Sequence, residues 1–367
     1  MKAPLYSTVT CCVRCLLILL SLCRIRPCST VDTEKKVLPK ENIPALLAFG
    51  DSIVDPGNNN EILLTLIKAN FPPYGKDFED GKATGRFSNG RIPTDFLADA
   101  LGVKKLLPAY LDPDLQEEEL LTGVSFASSA CGFDPLTSRI FNVKSMKDQL
   151  NMFKEYTAKV KAMVGEQQTN FILGNSVYVV VAGTDDIANT YFSTPFIRDD
   201  YDVDSYTNLV RNSASSFIEK LYKFGARKIF VSNAPPLGCI PSQRTLGGGP
   251  NRECAEDREK ATQLFNNKLA VELEALGHRL PDSEIVCMDI YSIFLDLIEN
   301  GINYGFEVVD KGCCGSGVIE VAVFCNLFST TCEDRAKYLF WDSYHPSEKA
   351  YKIIVDQIVE KYMKHFF

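Results

Sequence analysis

Short apolar runs alternate with helical patterns along this 367-residue chain, and that alternation restricts its fold more than any other feature. Five runs are apolar on both faces, as is typical of strands in a parallel sheet covered by helices on both sides. They occupy residues 45–49, 124–127, 177–182, 228–231 and 284–288. Helical patterns lie at 144–164, 205–224, 258–276 and 351–366. Because no Pro/Ser/Gly-rich linker divides the chain, the pattern predicts one doubly wound α/β domain.

The first thirty residues differ in composition from the rest of the chain. They contain no acid and four basic residues: Lys2, Arg14, Arg24 and Arg26. The apolar stretch 15–23 between two of these arginines is too short to span a bilayer, which takes about 20 apolar residues. This pattern predicts a secretory signal peptide over residues 1–29, a single mature domain over 30–367, and a secreted protein without a transmembrane segment. A frayed helix or a membrane anchor fits the charge pattern less well.

Cysteine usage agrees with export. Eight of the 13 cysteines lie after the predicted signal: Cys131, Cys239, Cys254, Cys287, Cys313, Cys314, Cys325 and Cys332. An even number of cysteines in an exported chain indicates disulfides. The pairs Cys239/Cys254 and Cys325/Cys332 each close a short loop and are predicted first, although the sequence leaves the pairing open. Zinc is the weaker alternative, because this region has no C-x-x-C and only three histidines.

The charge distribution bears on partners. The net charge is −8 and no basic run occurs, so nucleic acid is not expected as a partner. The exported part also lacks an Asn-x-Ser/Thr sequon, so no N-glycan is expected. The sequence leaves the oligomeric state open.

Polar residues follow four of the predicted strands: Asp51-Ser52, Ser128-Ser129, Asp185-Asp186 and Asn233. In doubly wound sheets, ligands bind outside the carboxyl ends of the strands. The sequence therefore predicts a functional site at this edge of the sheet.

His345 is the one histidine with neighbours suited to catalysis. His278 in a polar turn and His365 near the C-terminus are interpreted as surface residues. Asp342 stands three residues before His345, where its carboxylate can accept a hydrogen bond from the imidazole Nδ1–H. The other ring nitrogen is then free to act as a base. A capping aspartate beside a buried histidine would give the same spacing.

Ser52 is the candidate nucleophile. It lies on a Gly-Asp-Ser turn directly after a predicted buried strand, so its Oγ is expected to point into the crevice. Its own backbone N–H could donate to a developing oxyanion. Capping a turn or helix is the commoner role of a serine at such a place. The G-x-S-x-G turn of the ordinary α/β-hydrolases does not occur in the chain.

A metal-dependent phosphotransferase or phosphatase is an alternative suggested by five aspartates: Asp51, Asp55, Asp185, Asp186 and Asp289. The residues between Asp51 and Asp55 do not form a typical metal-binding loop. Carboxylates that accept turn hydrogen bonds at strand ends are therefore favoured, and no metal or organic cofactor is predicted.

The segment 49–59, FGDSIVDPGNN, resembles the first block of the plant GDSL esterase/lipases, a family of the SGNH-hydrolase superfamily. Further blocks of the same family follow in order: FPPYG at 71–75, TGRFSNGR at 84–91, GVSFAS at 123–128, VAGTDD at 181–186, PPLGCIP at 235–241, GCCG at 312–315 and WDSYHP at 341–346. The segment 133–137, FDPLT, is most like the extracellular-lipase branch. The resemblance covers nearly the whole chain.

This resemblance implies a three-layer α/β/α sandwich of the flavodoxin-like type and the hydrolysis of carboxylic esters. It implies Ser52 as nucleophile, His345 as base and Asp342 as orienting acid. The implied oxyanion donors are the backbone N–H of Ser52, a backbone N–H of the second block, assigned to Ala130, and the side chain at position 185.

Two residues depart from the family pattern at the implied oxyanion site. Asp185 replaces the usual asparagine, and an ionised carboxylate would repel the charge that builds in the transition state; losing one donor costs about 2.7–4 kcal/mol. Asp185 could instead be protonated, be turned away, or be replaced by water or Asn189. Ser128-Ser129-Ala130 replaces Ser-Gly-Gly or Ser-Gly-Ala, which puts a glycine conformation in question.

The sequence as a whole predicts a secreted serine hydrolase that cleaves small-molecule or lipid esters through an acyl-enzyme. The alternative is a catalytically weak secreted relative that binds lipid or polysaccharide esters as a coat or wall component, which Asp185 would favour. Fold resemblance does not settle the acyl chain or the alcohol of the substrate.

Overall fold

The computed structural model describes residues 43–366, and the predicted signal peptide lies outside them. A central sheet of four parallel strands runs in the order β1-β2-β3-β4. A separate pair of short parallel strands, β5 and β6, lies near the C-terminus. The strands are β1 Leu46–Gly50, β2 Val177–Val181, β3 Lys228–Ser232, β4 Glu284–Met288, β5 Val308–Gly312 and β6 Tyr338–Phe340. Four of the five predicted strands are thus confirmed to within a residue.

The fifth predicted strand, 124–127, is not a continuous strand, although it lies beside β1. The N–H of Phe126 donates to the Ala48 carbonyl at 2.8 Å, and the N–H of Ser128 donates to the Gly50 carbonyl at 2.9 Å. Ser125 bridges β1 on one side and Ala109 on the other, so the segment pairs only at isolated positions. With this segment included, the spatial order across the sheet is segment 124–127, β1, β2, β3, β4. This is the strand order of flavodoxin-like folds, in which the direction of winding reverses between β1 and β2.

Helices cover both faces of the sheet. The helices are α1 Pro93–Ala100, α2 Pro135–Phe141, α3 Met146–Asn175, α4 Ile197–Asp200, α5 Val203–Lys223, α6 Pro241–Gly247, α7 Glu256–Arg279, α8 Ile290–Glu299 and α9 Glu348–Phe366. Helices α3, α5 and α7 pack on one face, where Phe49 of β1 meets Phe153 and Phe217. Helices α1, α8 and α9 pack on the other. The predicted α/β/α sandwich is confirmed.

The long helix α3 shows how local sequence sets its bounds. Ser145 precedes it and accepts the N–H of Asp148 at 3.2 Å, while the Asp148 carboxylate accepts the N–H of Ser145 at 2.9 Å. This reciprocal cap satisfies donors that the first turn leaves free. The helix was predicted to end at residue 164, and in the structure Gly165 interrupts the helical backbone with φ of 80°. Beyond Gly165 the chain is helical again as far as Asn175.

Three disulfides join the cysteines, with one correction to the predicted pairing. Cys239–Cys254 is confirmed, whereas Cys325/Cys332 is wrong. Cys332 pairs with Cys313, and Cys325 pairs with Cys314. The chain folds back after Cys325, and the Cys332 N–H donates to the Cys313 carbonyl at 2.9 Å. Cys332 therefore lies next to Cys313, although Cys325 is nearer to it in the sequence. Cys131 and Cys287 carry free thiols.

Within residues 43–366, no helix combines the length and apolar character needed to cross a bilayer.

Candidate active site

Strand β1 ends in a turn that only glycine allows. Gly50 has φ of 133°, and a Cβ there would lie 1.8 Å from the carbonyl oxygen of Val181. Gln149 of α3 fixes the same residue, accepting the Gly50 N–H at 2.8 Å and donating to its carbonyl at 2.9 Å. This close passage of β1 past β2 sends the chain out of the sheet, and Ser52 follows at its carboxyl edge.

His345 lies on a tight turn after β6. The Asp342 carboxylate accepts the backbone N–H groups of Tyr344 at 2.8 Å and His345 at 2.6 Å, which closes the turn. His345 Nδ1 lies 2.9 Å from Asp342 Oδ2, and Nε2 lies 2.7 Å from Ser52 Oγ. The side chains of Ser52, His345 and Asp342 are all buried. The structure therefore brings together the three residues that the sequence singled out.

The direction of these hydrogen bonds follows from their chemistry. An ionised carboxylate can only accept, so His345 Nδ1 carries the proton that points to Asp342. Nε2 of the neutral imidazole is then an acceptor, and Ser52 Oγ–H donates to it. This is the arrangement in which a serine hydroxyl can lose its proton to a base.

The other two histidines lie elsewhere. His278 is exposed at the end of α7, and half-buried His365 contacts Glu284 Oε1 through Nδ1 at 2.5 Å. Their interpretation as surface residues is confirmed for His278, while His365 is partly covered.

Two aromatic residues at the site were not singled out from the sequence. The hydroxyl of buried Tyr74 donates to Asp342 Oδ2 at 2.8 Å and accepts the N–H of Ala322 at 2.9 Å. The ring of Phe87 lies 4.7 Å from the imidazole of His345. Both belong to the blocks at 71–75 and 84–91, which the sequence marked as typical without showing what they touch.

Removing the Tyr74 hydroxyl should lower turnover without preventing binding. Tyr74→Phe leaves Asp342 with one donor fewer, so we expect kcat to fall about tenfold with KM nearly unchanged, equivalent to about 1.4 kcal/mol. Tyr156→Phe is the matched control, because it removes a buried hydroxyl that donates to the Leu120 carbonyl at 2.8 Å outside the pocket that Ser52 lines. Steady-state kinetics give kcat and KM of both variants, and their Tm values show whether either substitution destabilises the fold. Equal kcat in the two variants would contradict a positioning role for Tyr74.

Two backbone N–H groups face no protein acceptor. Among the described residues, neither the N–H of Ser52 nor that of Ala130 donates to a backbone or side-chain oxygen. Ala130 has φ of 63°, the left-handed conformation that favours glycine. The replaced glycine of the family pattern stands at position 129, and Ser129 does not have a positive φ, so this backbone position does not require glycine. Ser52, Ala130 and His345 line one pocket.

Asp185 lies in the same pocket, together with Asn189 and Tyr344. Its Oδ1 accepts the Asn189 side-chain N–H at 2.5 Å. Burial, and then the charges of Asp51 and Asp186, raise the pKa of Asp185 well above its usual value. Of the alternatives for this residue, the protonated one is favoured, because a buried carboxyl group beside other carboxylates resists ionisation.

The neighbouring aspartates have separate roles. Asp55 accepts the N–H groups of Gly57 at 2.8 Å and Ser129 at 3.0 Å, which ties the first block to the second. Asp186 accepts the Thr137 hydroxyl at 2.6 Å, and burial raises its pKa to about 6. Burial also raises the pKa of Asp51 to about 7, and Asp51 Oδ2 has no partner.

These contacts bear on the metal alternative. Asp289 caps α8 by accepting the N–H of Ser292 at 3.1 Å, and Asp55 accepts a turn N–H from Gly57, as favoured from the sequence. Asp186 instead accepts hydrogen bonds from the distant segment 133–137. Within residues 43–366, no group of three potential ligands is arranged to hold a metal ion.

A flavodoxin-like sheet with a hydrogen-bonded serine, histidine and aspartate at its carboxyl edge has the architecture of a serine hydrolase. The family described as GDSL-like Lipase/Acylhydrolase matches residues 46–358. GDSL esterase/lipase EXL3 of Arabidopsis thaliana is 52% identical over 335 residues, 91% of this chain and 92% of that protein. GDSL esterase/lipase EXL2 of the same plant is 47% identical over 363 residues, 95% of each chain. The chain belongs to the GDSL-like lipase/acylhydrolase family.

Proposed function

We propose that Ser52, His345 and Asp342 form the catalytic triad of a secreted carboxylic ester hydrolase. Membership of the family makes the protein an ester-hydrolysing serine hydrolase. The observation that carries the residue assignment is the continuous hydrogen-bond chain, 2.7 Å from Ser52 Oγ to His345 Nε2 and 2.9 Å from Nδ1 to Asp342.

In the first half of the reaction, Ser52 Oγ attacks the ester carbonyl carbon while its proton passes to His345 Nε2. The oxygen of the carbonyl becomes negative, and the N–H groups of Ser52 and Ala130, with the protonated carboxyl of Asp185, are proposed to donate to it. The bond to the alcohol oxygen then breaks. His345 gives its proton to the departing alcohol, which leaves Ser52 acylated.

In the second half, water takes the place of the alcohol. The water oxygen attacks the acyl carbon while His345 Nε2 accepts a proton from the water. The bond to Ser52 Oγ breaks and the proton returns to the serine, so the acid is released and the enzyme is restored. Asp342, held by its four hydrogen bonds, stabilises the imidazolium formed in each half.

A fluorophosphonate probe tests this assignment directly. We expect one covalent adduct, found by peptide mass mapping on the peptide that contains Ser52. His345→Ala should react far more slowly, because Oγ then has no base. Labelling of another serine, or equal labelling of His345→Ala, would count against the triad.

The binding-protein alternative rests on an ionised Asp185. Since burial and neighbouring carboxylates oppose that ionisation, the observation that favoured a catalytically weak relative loses its force. We therefore retain catalysis as the proposed function, with a small-molecule or lipid ester as substrate.

Export is proposed on two grounds: the charge and apolar pattern of residues 1–29, and three disulfides, which persist outside the reducing cytosol. Residues 30–367 are proposed as one mature domain. Protein collected from the medium of expressing plant cells should begin near residue 30. After denaturation it should titrate two thiols, and eight after reduction. An N-terminus at Met1 or eight thiols before reduction would contradict export with disulfides.

A further inference from the structure

The backbone of residues 128–131 forms a turn that sets the direction of one proposed oxyanion donor. The Cys131 N–H donates to the Ser128 carbonyl at 3.1 Å, so Ser129 and Ala130 are the two central residues of a β-turn. Ala130 has φ of 63°, whereas Ser129 does not have a positive φ. A positive φ at the third residue of a turn, and not at the second, is the mark of a type II turn.

Type I and type II turns differ mainly in the peptide group between their two central residues, which is turned over in one relative to the other. Here that group consists of the Ser129 carbonyl and the Ala130 N–H, which point in opposite directions because the peptide bond is trans. In the observed turn, Ala130 lines the Ser52 pocket and its N–H has no acceptor among the described residues. Turning the group over would present the carbonyl oxygen in place of the N–H, and that oxygen would repel an oxyanion.

An alanine at the third position makes the observed turn costly. Glycine adopts a positive φ freely, whereas the Cβ of alanine disfavours it. A type I turn has a negative φ at both central residues and suits alanine better. The peptide group between Ser129 and Ala130 therefore keeps its direction only if surrounding side chains hold it there.

Asn59 holds the carbonyl end of this peptide group. Its side-chain amide donates to the Ser129 carbonyl at 3.1 Å and to the Ile67 carbonyl at 2.9 Å, and its Oδ1 accepts the Ser128 hydroxyl. The Asn59 side chain is buried, and within the described part of the chain no other group donates to the Ser129 carbonyl. A donor on the carbonyl also polarises the peptide group, which makes its N–H a better donor.

We propose that Asn59 is a positioning residue for ester hydrolysis, whose hydrogen bond to the Ser129 carbonyl keeps the Ala130 N–H directed at the oxyanion. The inference rests on the proposed function, in which Ala130 donates to the oxyanion. Asn59 does not line the Ser52 pocket, so it acts only through the peptide group. Because the donor matters most once the carbonyl oxygen has become negative, the effect falls on kcat rather than on KM.

Asn59→Ala and Asn58→Ala form a matched pair. Asn58 is also buried and donates to the Ser125 and Ala127 carbonyls of the same segment, at 2.9 and 2.8 Å, but not to Ser129. We expect Asn59→Ala to lower kcat on a p-nitrophenyl ester about tenfold to a hundredfold with KM nearly unchanged. Asn58→Ala should also lower Tm, yet keep kcat within about threefold. Equal losses of kcat in the two variants would overturn the positioning role.

Ala130→Gly provides a rescue that general destabilisation would not give. Glycine favours the type II turn without help from a side chain, so adding Ala130→Gly to Asn59→Ala should recover kcat about tenfold. Adding Ala130→Gly to Asn58→Ala should bring no such recovery. If glycine leaves the kcat of Asn59→Ala unchanged, the direction of this peptide group is not what Asn59 controls, and the proposal is wrong.

Asn59→Asp covers the case in which Asn59→Ala fails to fold. Aspartate keeps the size of the side chain and the acceptor for the Ser128 hydroxyl, but its ionised carboxylate cannot donate to the Ser129 carbonyl. We therefore expect a loss of kcat at least as large as for the alanine variant. Wild-type kcat in Asn59→Asp at neutral pH would refute the role of the amide.

A spectroscopic measurement separates this inference from the proposed function. The chain contains two Ser-Ala pairs, Ser129–Ala130 and Ser213–Ala214 of α5, so ¹³C-carbonyl serine with ¹⁵N-alanine gives two amide signals. When a trifluoromethyl ketone adds to Ser52 of the wild type, the first amide proton should move downfield and the second should not. No movement in the wild type would overturn the proposed oxyanion role of Ala130. The same movement in Asn59→Ala would overturn only the role of Asn59.

Discussion

Ser52→Ala is expected to lower kcat on a simple ester by a factor on the order of a million, and His345→Ala by a similar factor. The serine hydroxyl and the imidazole act as one unit, joined at 2.7 Å, so losing either removes the attacking alkoxide. The double variant should be little worse than either single one, because the second substitution removes nothing that still functions. Rates measured with a p-nitrophenyl ester, corrected for background hydrolysis, give all three values.

His365→Ala is the matched control for the histidine variant. His365 pairs with Glu284 near the C-terminus and should affect kcat by less than about twofold. Substantial turnover by His345→Ala would refute the assignment of the base, since neither His278 nor His365 lies near Ser52. Activity that survives Ser52→Ala and depends on added divalent metal would instead support the phosphoesterase alternative.

Asp185→Asn is expected to change the pH dependence of kcat more than its maximum. Protonated Asp185 can donate to the oxyanion, whereas the ionised form cannot and also repels it. In the wild type, kcat should therefore fall as pH rises through the raised pKa of Asp185. The asparagine amide donates at every pH, so Asp185→Asn should lack the falling limb. At the alkaline end, it should exceed the wild type by about a hundredfold to a thousandfold.

Two further variants identify which group titrates. Asp185→Leu keeps the approximate size but has no donor, so its kcat should be low at every pH. Asp51→Asn should keep a falling limb, moved to lower pH because one of the charges that raise the pKa of Asp185 is gone. Loss of the limb in Asp51→Asn would assign it to Asp51, whose pKa burial raises to about 7. If wild type and Asp185→Asn give superimposable profiles, Asp185 does not contact the oxyanion and the role carried over from the family pattern is wrong.

Local patterns predicted the members of the triad because each stands in a short motif, although the hydrogen bond between Ser52 and His345 spans 293 residues. Asp342 and His345 are three residues apart on one turn, and Ser52 follows a strand whose end is marked by Gly50. The same patterns missed Tyr74, which is 268 residues from its partner Asp342. The block at 71–75 that contains Tyr74 does not show which residue the tyrosine hydroxyl contacts.

The disulfides show the same limit. The Cys325/Cys332 prediction relied on closeness in sequence, but the fold of the segment after β5 brings Cys332 to Cys313 and Cys325 to Cys314. The 124–127 segment was likewise predicted as a strand from its composition, yet Ser125 divides its backbone contacts between β1 and Ala109.

Sequence alone was enough to predict the order of strands and helices, the family and the three residues proposed as the triad, because hydrophobic periodicity and short motifs depend on neighbouring residues. The pairing of the cysteines and the raised pKa of Asp185 could be found only from the folded structure. Each of these depends on burial and on charges or surfaces brought together from distant parts of the chain. The pKa of Asp185 is raised because its carboxyl group is buried and because Asp51, 134 residues before it in the chain, places a like charge nearby.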